Sequence, residues 1–197
     1  MNKVKTISFF KENPFVITFV FVISLFLWKF IILKESFLLG DYSVQHLPWS
    51  RFLADSLANL SLPLWTPYMH SGFPILAEGQ IGALYPPNLI MYFFLPYKIA
   101  YTYNILLHFV LAGIFMYIYV REIGMSKTAA TITVIAFLFG SAYGGCFYSI
   151  MSLKVLVWFP LLLFLTEKLF KKEEMLYGIL IGIVVSVQIL AGYLQFA

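Results

Sequence analysis

The stretch "AYTYNILLHFVLAGIFMYIYV", residues 100–120, contains no acidic residue, lysine or arginine. A helix needs about 20 predominantly apolar residues to cross a bilayer, and this stretch has that length. Four further apolar runs of similar character occupy residues 14–33, 129–151, 153–170 and 176–197. Pro160 predicts a kink in the run 153–170. The pattern predicts an all-α polytopic membrane protein, folded as a single membrane domain with about five transmembrane helices.

The composition also favours the lipid bilayer as the solvent of this chain. It is 61% hydrophobic and 11% charged, with a mean hydropathy of +0.89. A soluble domain averages about 25% charged residues, so this chain has more apolar surface than a water-exposed globule buries. The net charge of +4 comes from basic residues at the ends of apolar runs, where they report orientation rather than nucleic-acid binding.

Basic residues cluster in three segments that alternate with the predicted spans. They are Lys3, Lys5 and Lys11 before the first span, Arg121 and Lys127 after the second, and Lys168, Lys171 and Lys172 after the fourth. The positive-inside rule then places the N-terminus in the cytoplasm, and the loop 34–98 and the link near Lys154 outside. The last run reaches Ala197 without a polar flank, so we expect the N-terminal part of a longer protein.

The long loop 34–98 carries the unusual composition. Seven of the nine prolines fall between Pro48 and Pro96, which excludes a further long helix. The segment "WSRFLADSLANL", residues 49–60, has apolar residues at helical spacing. It predicts an amphipathic helix in the outer interface, with its tryptophan at headgroup depth. Residues 62–89 are rich in aromatic side chains, unlike disordered chains, and long ordered loops are usually functional.

The stretch "GDYSVQHLPW", residues 40–49, places Asp41 just beyond the end of the first span. Its carboxylate suits a general base or a metal ligand that a lipid-borne substrate can reach. The position equally suits a turn or the N-cap of the next helix. Gln45 and His46 would either join such a site or face lipid headgroups. No motif of strict spacing, such as a phosphate-binding loop, accompanies them.

The order of these features resembles the YfhO-type bacterial membrane proteins, polytopic relatives of the GT-C glycosyltransferases. In that family the first loop reads Asp, then Gln and Pro, then Pro-Leu-Trp-Asn-Pro, Gly-x-Pro, Ala-x-x-Gln and Tyr-Pro-Pro. The matching residues are Asp41, Gln45, Pro48, Pro63, Leu64, Trp65, Pro67, Gly72, Pro74, Ala77, Gln80, Tyr85, Pro86 and Pro87. Thr66 stands where Asn is usual. The late segment "AGYLQFA", residues 191–197, also resembles a family segment that ends a span.

The resemblance implies a transferase that takes a sugar from a polyprenyl-phosphate donor. Its acceptor would be a cell-envelope polymer, such as teichoic acid, or a lipid, on the outer face of a bacterial membrane. Asp41 would be the general base toward the acceptor hydroxyl, or would contact a divalent cation. The substrate-binding candidates are Gln45, His46, Arg51, His70, Glu78 and Gln80. Among them the two histidines and the arginine would meet the phosphate, and the glutamate would be a second acid.

Other notable residues favour plain structural interpretations. His108 lies in the run 100–120, where we expect a histidine satisfied by hydrogen bonds inside the membrane. Cys146 is expected to be a small packed residue. The segment "FGSAYGGC", residues 139–146, suits close helix packing.

Two other functions remain open. A transporter or flippase usually has polar or broken helices near the membrane midplane, whereas the predicted spans are nearly free of charge. A non-catalytic envelope assembly protein would tolerate the change of Asp41 to asparagine but depend on the surface of residues 62–89.

Overall fold

The computed structural model describes residues 42–140 and 150–193, so the predicted span 14–33, Asp41 and Cys146 lie outside the described residues. A π-helical turn, Tyr42–His46, leads into the α-helices. These are α1 Leu47–Ala58, α2 Ile75–Glu78, α3 Pro86–Phe94, α4 Tyr97–Glu122, α5 Lys127–Phe139, α6 Ile150–Leu156, α7 Phe159–Lys172 and α8 Met175–Leu190. Within these ranges no strand forms, so the predicted all-α class is confirmed for this part of the chain.

Helix α4 is the centre of the packing. It contacts α1, α3, α5, α6 and α7. Pro96 precedes its first turn, where the missing N–H of proline costs nothing. Its buried face includes side chains at helical spacing, namely Ala100, Ile105, Phe109, Ala112, Met116 and Val120. The other helices therefore pack around one apolar axis.

Within the described residues, α4 is the one helix long and apolar enough to cross a membrane. It contains the predicted span 100–120. Helices α5 and α8 are apolar but shorter. Helix α5 covers the first half of the predicted span 129–151 and ends at Phe139, with Gly140 as its C-cap. Helix α8 covers the predicted span 176–197 as far as Leu190.

The predicted span 153–170 is two helices in the structure. Helix α6 ends at Leu156 and α7 begins at Phe159, with Pro160 in its first turn. Proline lacks the N–H that would continue an existing helix, but it is compatible with the first turn of a new one. Two turn residues, Val157 and Trp158, separate the helices just before Pro160, where the kink is predicted.

The predicted amphipathic segment 49–60 coincides with α1. Its exposed face carries Arg51 and Asp55, whose ion pair at 3.8 Å is about two-thirds exposed at each side chain and contributes at most about 1 kcal/mol. Its apolar face packs against α3 and α4. The Trp49 ring is buried against the protein rather than exposed, and its Nε1 donates to Met69 Sδ at 2.8 Å; its expected depth in the membrane stays a prediction.

An ion-pair network joins the far ends of α4 and α7. Glu122 accepts from Lys168 at 2.6 Å and from Lys171 at 3.2 Å, and Lys171 also pairs with Glu167 at 3.1 Å. Two of the basic segments predicted to share the cytoplasmic side therefore lie at the same end of the molecule, one at the C-terminal end of α4 and one at the C-terminal end of α7.

Replacing Glu122 by glutamine should lower the melting temperature by a few degrees at pH 7. The hydrogen bond from Lys168, helped by Lys171, holds the pKa of Glu122 below its usual value of 4.5. A lowered pKa in the folded state stabilises above the unfolded pKa, and this stabilisation is lost as the pH falls through the folded pKa. The difference between the two proteins should therefore vanish on acidification below pH 4.5.

The measurement is the melting temperature as a function of pH. Glu173→Gln is the matched control, since none of the described ion pairs involves Glu173. A Glu122→Gln difference that does not shrink at all as the pH falls below 4.5 would contradict the assignment to the ion pair.

Candidate functional site

A cavity of about 920 Å³ lies between α1 and the segment 66–78. We call it the Arg51 cavity. It is lined by Val44, Gln45, Pro48, Trp49, Arg51, Phe52, Asp55, Thr66, Tyr68, Met69, His70, Phe73, Ile75 and Glu78. Four of the six predicted substrate-binding residues are among them, namely Gln45, Arg51, His70 and Glu78. Its volume lies within the range of about 300–1,000 Å³ typical of small-molecule sites.

A short backbone bridge shapes the side of the cavity opposite α1. Thr66 and Phe73 exchange two backbone hydrogen bonds, at 2.9 and 2.8 Å. The turn between them has His70 at φ 48° and Ser71 at φ 62°, a left-handed conformation that non-glycine residues rarely adopt. Gly72 follows at φ 122°, and a Cβ there would lie 2.4 Å from the Trp65 ring. The glycine lets the tryptophan pack over the turn that carries His70.

The lining combines three kinds of chemistry. Arg51 and His70 supply cationic or hydrogen-bond-donating groups, and Asp55 and Glu78 supply carboxylates. Aromatic rings, including Tyr68, form much of the remaining wall. Apolar walls with a few convergent polar groups are typical of ligand sites. The arrangement suits a molecule that carries both a phosphate and several hydroxyl groups, with an apolar face for the rings.

Glu78 is the carboxylate in the cavity whose pKa is shifted from its ordinary value. It ends α2, and the backbone N–H of Gln80 donates to its Oε2 at 3.0 Å. Burial raises the pKa of Glu78, and this hydrogen bond opposes the rise. A carboxyl with a raised pKa lies closer to the range in which it can exchange protons at neutral pH.

Two predicted substrate-binding residues do not line the Arg51 cavity. His46 is 3% exposed and its ring lies edge-on to Trp49, with centroids 6.2 Å apart. The π-helical turn points it into the core instead of toward lipid headgroups. Gln80 follows the cavity segment, but its backbone packs closely against Gly192. A Cβ added at Gly192 would lie 3.0 Å from the Gln80 Cα.

The cavity lining also includes Asp55, Thr66 and Tyr68, which were not predicted from the sequence. The sequence shows that Asp55 lies one helical turn after Arg51. That spacing predicts an ion pair on the helix surface, but it does not predict a cavity. Thr66 and Tyr68 reach the cavity through the bridge to Phe73. No local pattern predicts such a bridge.

A second polar cluster lies within the helical core. The Trp158 indole N–H donates to the Tyr85 hydroxyl at 3.0 Å, and this hydroxyl lies 2.6 Å from Nε2 of His108. Nδ1 of His108 lies 2.6 Å from the backbone oxygen of Asn104. Because a carbonyl only accepts, Nδ1 carries the proton, and Nε2 accepts from Tyr85. The interpretation of His108 as a hydrogen-bonded core histidine agrees with this geometry.

The same cluster continues into the loop before α3. The Asn104 side chain donates to Asn88 Oδ1 at 2.9 Å, and Asn88 donates to the carbonyls of Ile81 and Gly82 at 3.2 and 2.8 Å. We call the chain from Trp158 through Tyr85, His108 and Asn104 to Asn88 the His108 network. It anchors the segment just after Glu78 to the central helix.

The end of α8 packs tightly against that segment. A Cβ at Gly192 would lie 2.2 Å from the Gly79 carbonyl oxygen, and Gly192 has φ +96°. A Cβ at Gly82 would lie 2.8 Å from the Asn88 amide nitrogen and 3.3 Å from the Ala191 carbonyl oxygen. The glycines allow two distant parts of the chain, near residues 79–82 and 191–192, to meet at backbone distance.

Lys154 is a buried lysine in the last turn of α6. The pattern of basic residues predicts that Lys154 lies in an outward-facing link, and in the structure it is 1% exposed. None of the ion pairs between described residues involves it. Burying an ion costs several kcal/mol even after the protein relaxes. The partial negative charge at a helix C-terminus stabilises a cation by at most about 2 kcal/mol. The helix end therefore does not offset the burial of this charge.

In residues 42–140 and 150–193 no three His, Cys, Asp or Glu side chains form a group that could hold a metal ion. The divalent cation predicted at Asp41 concerns a residue outside this part of the chain. The comparison of the whole chain with protein-family models, curated proteins and solved structures finds no match.

Proposed function

We propose that the protein is a GT-C-type integral membrane glycosyltransferase. It would transfer a sugar from a polyprenyl-phosphate donor to a cell-envelope polymer or lipid on the outer face of the bacterial membrane. The observation that supports this proposal best is the Arg51 cavity. It gathers Gln45, Arg51, His70 and Glu78, which come from two separate stretches of the first loop, residues 44–55 and 66–78.

The chemistry of the lining suits such a donor. The leaving group, a polyprenyl phosphate, is already a stable anion, so the protein mainly has to orient the acceptor and stabilise charge on the phosphate. Arg51 and His70 would contact the phosphate, and the carboxylate of Glu78 would contact sugar or acceptor hydroxyls. Asp41, which precedes the cavity residues Val44 and Gln45 in the chain, would be the general base.

The membrane arrangement belongs to the same proposal. Helix α4 would be one of about five spans, and the N-terminus would be cytoplasmic. The loop that carries the Arg51 cavity would then lie on the outer side, directly before α4 enters the bilayer. A donor anchored in the lipid by its polyprenyl chain would present its phosphate at this level.

Replacing Arg51 by methionine should lower sugar transfer about tenfold, because a hydrogen bond to a charged group contributes about 1.5–3 kcal/mol. The measurement uses a deletion strain that carries the full-length parent gene, and compares the sugar decoration of its surface polymers by mass spectrometry. Arg121→Met is the matched control, since Arg121 lies after the apolar run of α4 and bonds the Met125 carbonyl. Equal decoration in both variants, at matched protein abundance, would remove Arg51 from the donor site.

A transporter or flippase is the second candidate, and the break between α6 and α7 favours it. Transporters commonly place interrupted helices and ionisable residues at the substrate path, and Lys154 lies close to this break. Flux of a lipid-linked sugar in proteoliposomes, in the absence of any acceptor, would support transport. Product formation without flux would support the transferase.

A further inference from the structure

Helix α3 runs alongside the first half of α4 in the opposite direction. The side chain of Asn104 in α4 donates to Asn88 in α3 at 2.9 Å. About one turn further, the hydroxyl of Tyr85, the N-cap of α3, lies 2.6 Å from Nε2 of His108. Steps toward the start of α3 thus match steps toward the end of α4. Because residues 95–96 alone separate the two helices, they form an antiparallel hairpin.

The hairpin fixes how far the start of α3 lies along the proposed span. Eleven residues of helix lead from Tyr97, where α4 begins, to His108. They correspond to a rise of about 16 Å, which is about half of the roughly 30 Å hydrocarbon core of a bilayer. With α4 across the membrane, as proposed above, Tyr85 lies close to the bilayer midplane and α3 lies in the outer half.

The composition and exposure of α3 suit this depth. From residue 79 to residue 97 the sequence has no acidic residue, lysine, arginine or histidine. The exposed residues of α3 are all apolar, namely Pro86, Ile90, Phe93 and Phe94. A helix at a water-exposed surface carries polar side chains on its outer face. The outer face of α3 instead suits contact with lipid acyl chains.

The chain just before α3 is not helical, and protein groups surround its backbone. Ile81, Ala83 and Tyr85 are buried. The Asn88 side chain donates to the carbonyls of Ile81 and Gly82, at 3.2 and 2.8 Å. Non-helical backbone is tolerated at membrane depth where it is buried in protein or lines a water-filled cavity. This segment meets that condition, since Asn88 supplies donors that water would supply at a surface.

Two other helices end beside Tyr85. Trp158, the N-cap of α7, donates to the Tyr85 hydroxyl at 3.0 Å. Ala191, the C-cap of α8, is buried in one apolar cluster with Tyr85. The start of α3 is therefore enclosed by the ends of two further helices, so its non-helical backbone does not face lipid.

We propose that residues 79–94 form a re-entrant segment of the membrane domain. Residues 79–85 descend within the protein from the outer side to near the midplane, and α3 returns to the outer side with its apolar face against lipid acyl chains. The proposal rests on the crossing of the membrane by α4 that belongs to the proposed function, but not on the transferase reaction.

The re-entrant segment also sets the level of the Arg51 cavity. Tyr97 and the exposed Lys98 would lie at the outer interface, where tyrosine is enriched and lysine reaches the headgroups. The guanidinium of Arg51 lies 5.7 Å from the centroid of the Tyr97 ring. The Arg51 cavity would therefore lie at headgroup level, beside the end of α3.

The test measures the depth of nitroxide labels on single cysteines of the full chain in lipid nanodiscs. The background is Cys146→Ser, which removes the one cysteine, and the labelled variants are Leu84→Cys, Ile90→Cys and Phe94→Cys. Each replaced side chain is more than half exposed. Oxygen collides with labels mainly in hydrocarbon, and a water-soluble nickel chelate collides with them mainly in water. The ratio of the two should favour oxygen at all three positions and should rise from 94 through 90 to 84.

Two further labels separate this proposal from its premise. Ile114→Cys, on the exposed side of α4, should favour oxygen, and Met125→Cys, beyond the end of α4, should favour nickel. A label at Ile114 that favours nickel would overturn the crossing of α4 and the re-entrant segment together.

With the label at Ile114 in hydrocarbon, three results would overturn the re-entrant segment alone. Equal depth at the three α3 positions would show a helix that lies flat in the interface. A preference for nickel there would show a water-exposed helix. Exclusion of both reagents would show that protein, such as a second copy of this chain, covers the face.

A second measurement needs no substitution. The wild-type chain is placed in nanodiscs of phosphatidylcholine that carries a diazirine in the middle of one acyl chain, and is then irradiated. Lipid should be attached to peptides that cover residues 86–94 as well as to α4. Lipid attached to α4 but absent from residues 86–94 would also overturn the proposal.

Discussion

Replacing Asp41 by asparagine should lower sugar transfer by about 100-fold or more, because a positioned general base typically contributes about 100- to 10,000-fold. Asparagine keeps the shape of the side chain but does not accept a proton near neutral pH. The abundance of the protein in the membrane should stay unchanged. The measurement is the sugar decoration of surface polymers in the complemented deletion strain.

Two carboxylates of the Arg51 cavity provide the matched comparison. Asp55→Asn removes a largely exposed carboxylate that already pairs with Arg51, and we expect a smaller loss of transfer than for Asp41→Asn. Glu78→Gln removes the carboxylate whose pKa is raised by burial, and its loss should fall between the two. A large loss in either of these variants with normal activity in Asp41→Asn would move the base to that residue.

The result also separates the proposed functions. Equal decoration in the wild-type and Asp41→Asn strains, with all three carboxylate variants active, would return Asp41 to a turn or a helix cap. It would then favour transport or envelope assembly over sugar transfer. Loss of decoration in Asp41→Asn alone would favour the transferase, since a merely structural aspartate would also reduce the amount of protein.

The elements predicted best from the sequence are those that local patterns determine. The apolar run 100–120 lies within α4, and the helical spacing of residues 49–60 coincides with α1. Both depend on periodicity over one segment, which the sequence shows directly. The division of residues 153–170 into α6 and α7 is less visible, since Pro160 alone predicts either a kink or a new helix start.

The candidate site was predictable only as a set of single residues. Arg51 and His70 become neighbours of one cavity through the bridge between Thr66 and Phe73, a contact that no local pattern encodes. His46 was expected to face a ligand or headgroups, but the π-helical turn buries it against Trp49. Tertiary packing decides such positions, because side chains that share a face locally are redirected by distant contacts.

Tyr85→Phe should lower the free energy of unfolding by about 2–4 kcal/mol. The phenol connects two partners, so its loss removes the hydrogen bond to the fully buried His108 and the one from the half-buried Trp158. Leaving a buried polar group without its partner costs about 1–3 kcal/mol. Burial raises the pKa of Tyr85, so the hydroxyl keeps its proton and donates to His108 throughout the neutral range.

Tyr92→Phe is the control for the removal of a buried phenol. Tyr92 is also buried and donates to Ser50 at 3.0 Å, but its hydroxyl joins one partner rather than two. We expect about 1 kcal/mol of destabilisation there. The measurement is equilibrium unfolding by denaturant in mixed micelles, with the three proteins compared under identical conditions.

A double-mutant cycle tests whether the His108 network acts as a unit. His108→Leu removes the acceptor, and the combination with Tyr85→Phe should cost less than the two single changes together, because residues in contact couple by about 0.5–3 kcal/mol. The single change Tyr85→Phe should also lower sugar transfer, since the loop that follows Glu78 is held by this network. The network would not act as a unit if the losses in free energy of unfolding were additive, or if sugar transfer did not change in Tyr85→Phe. Either result would show that the packing of Gly192 against Gly79 positions the segment around Glu78 instead.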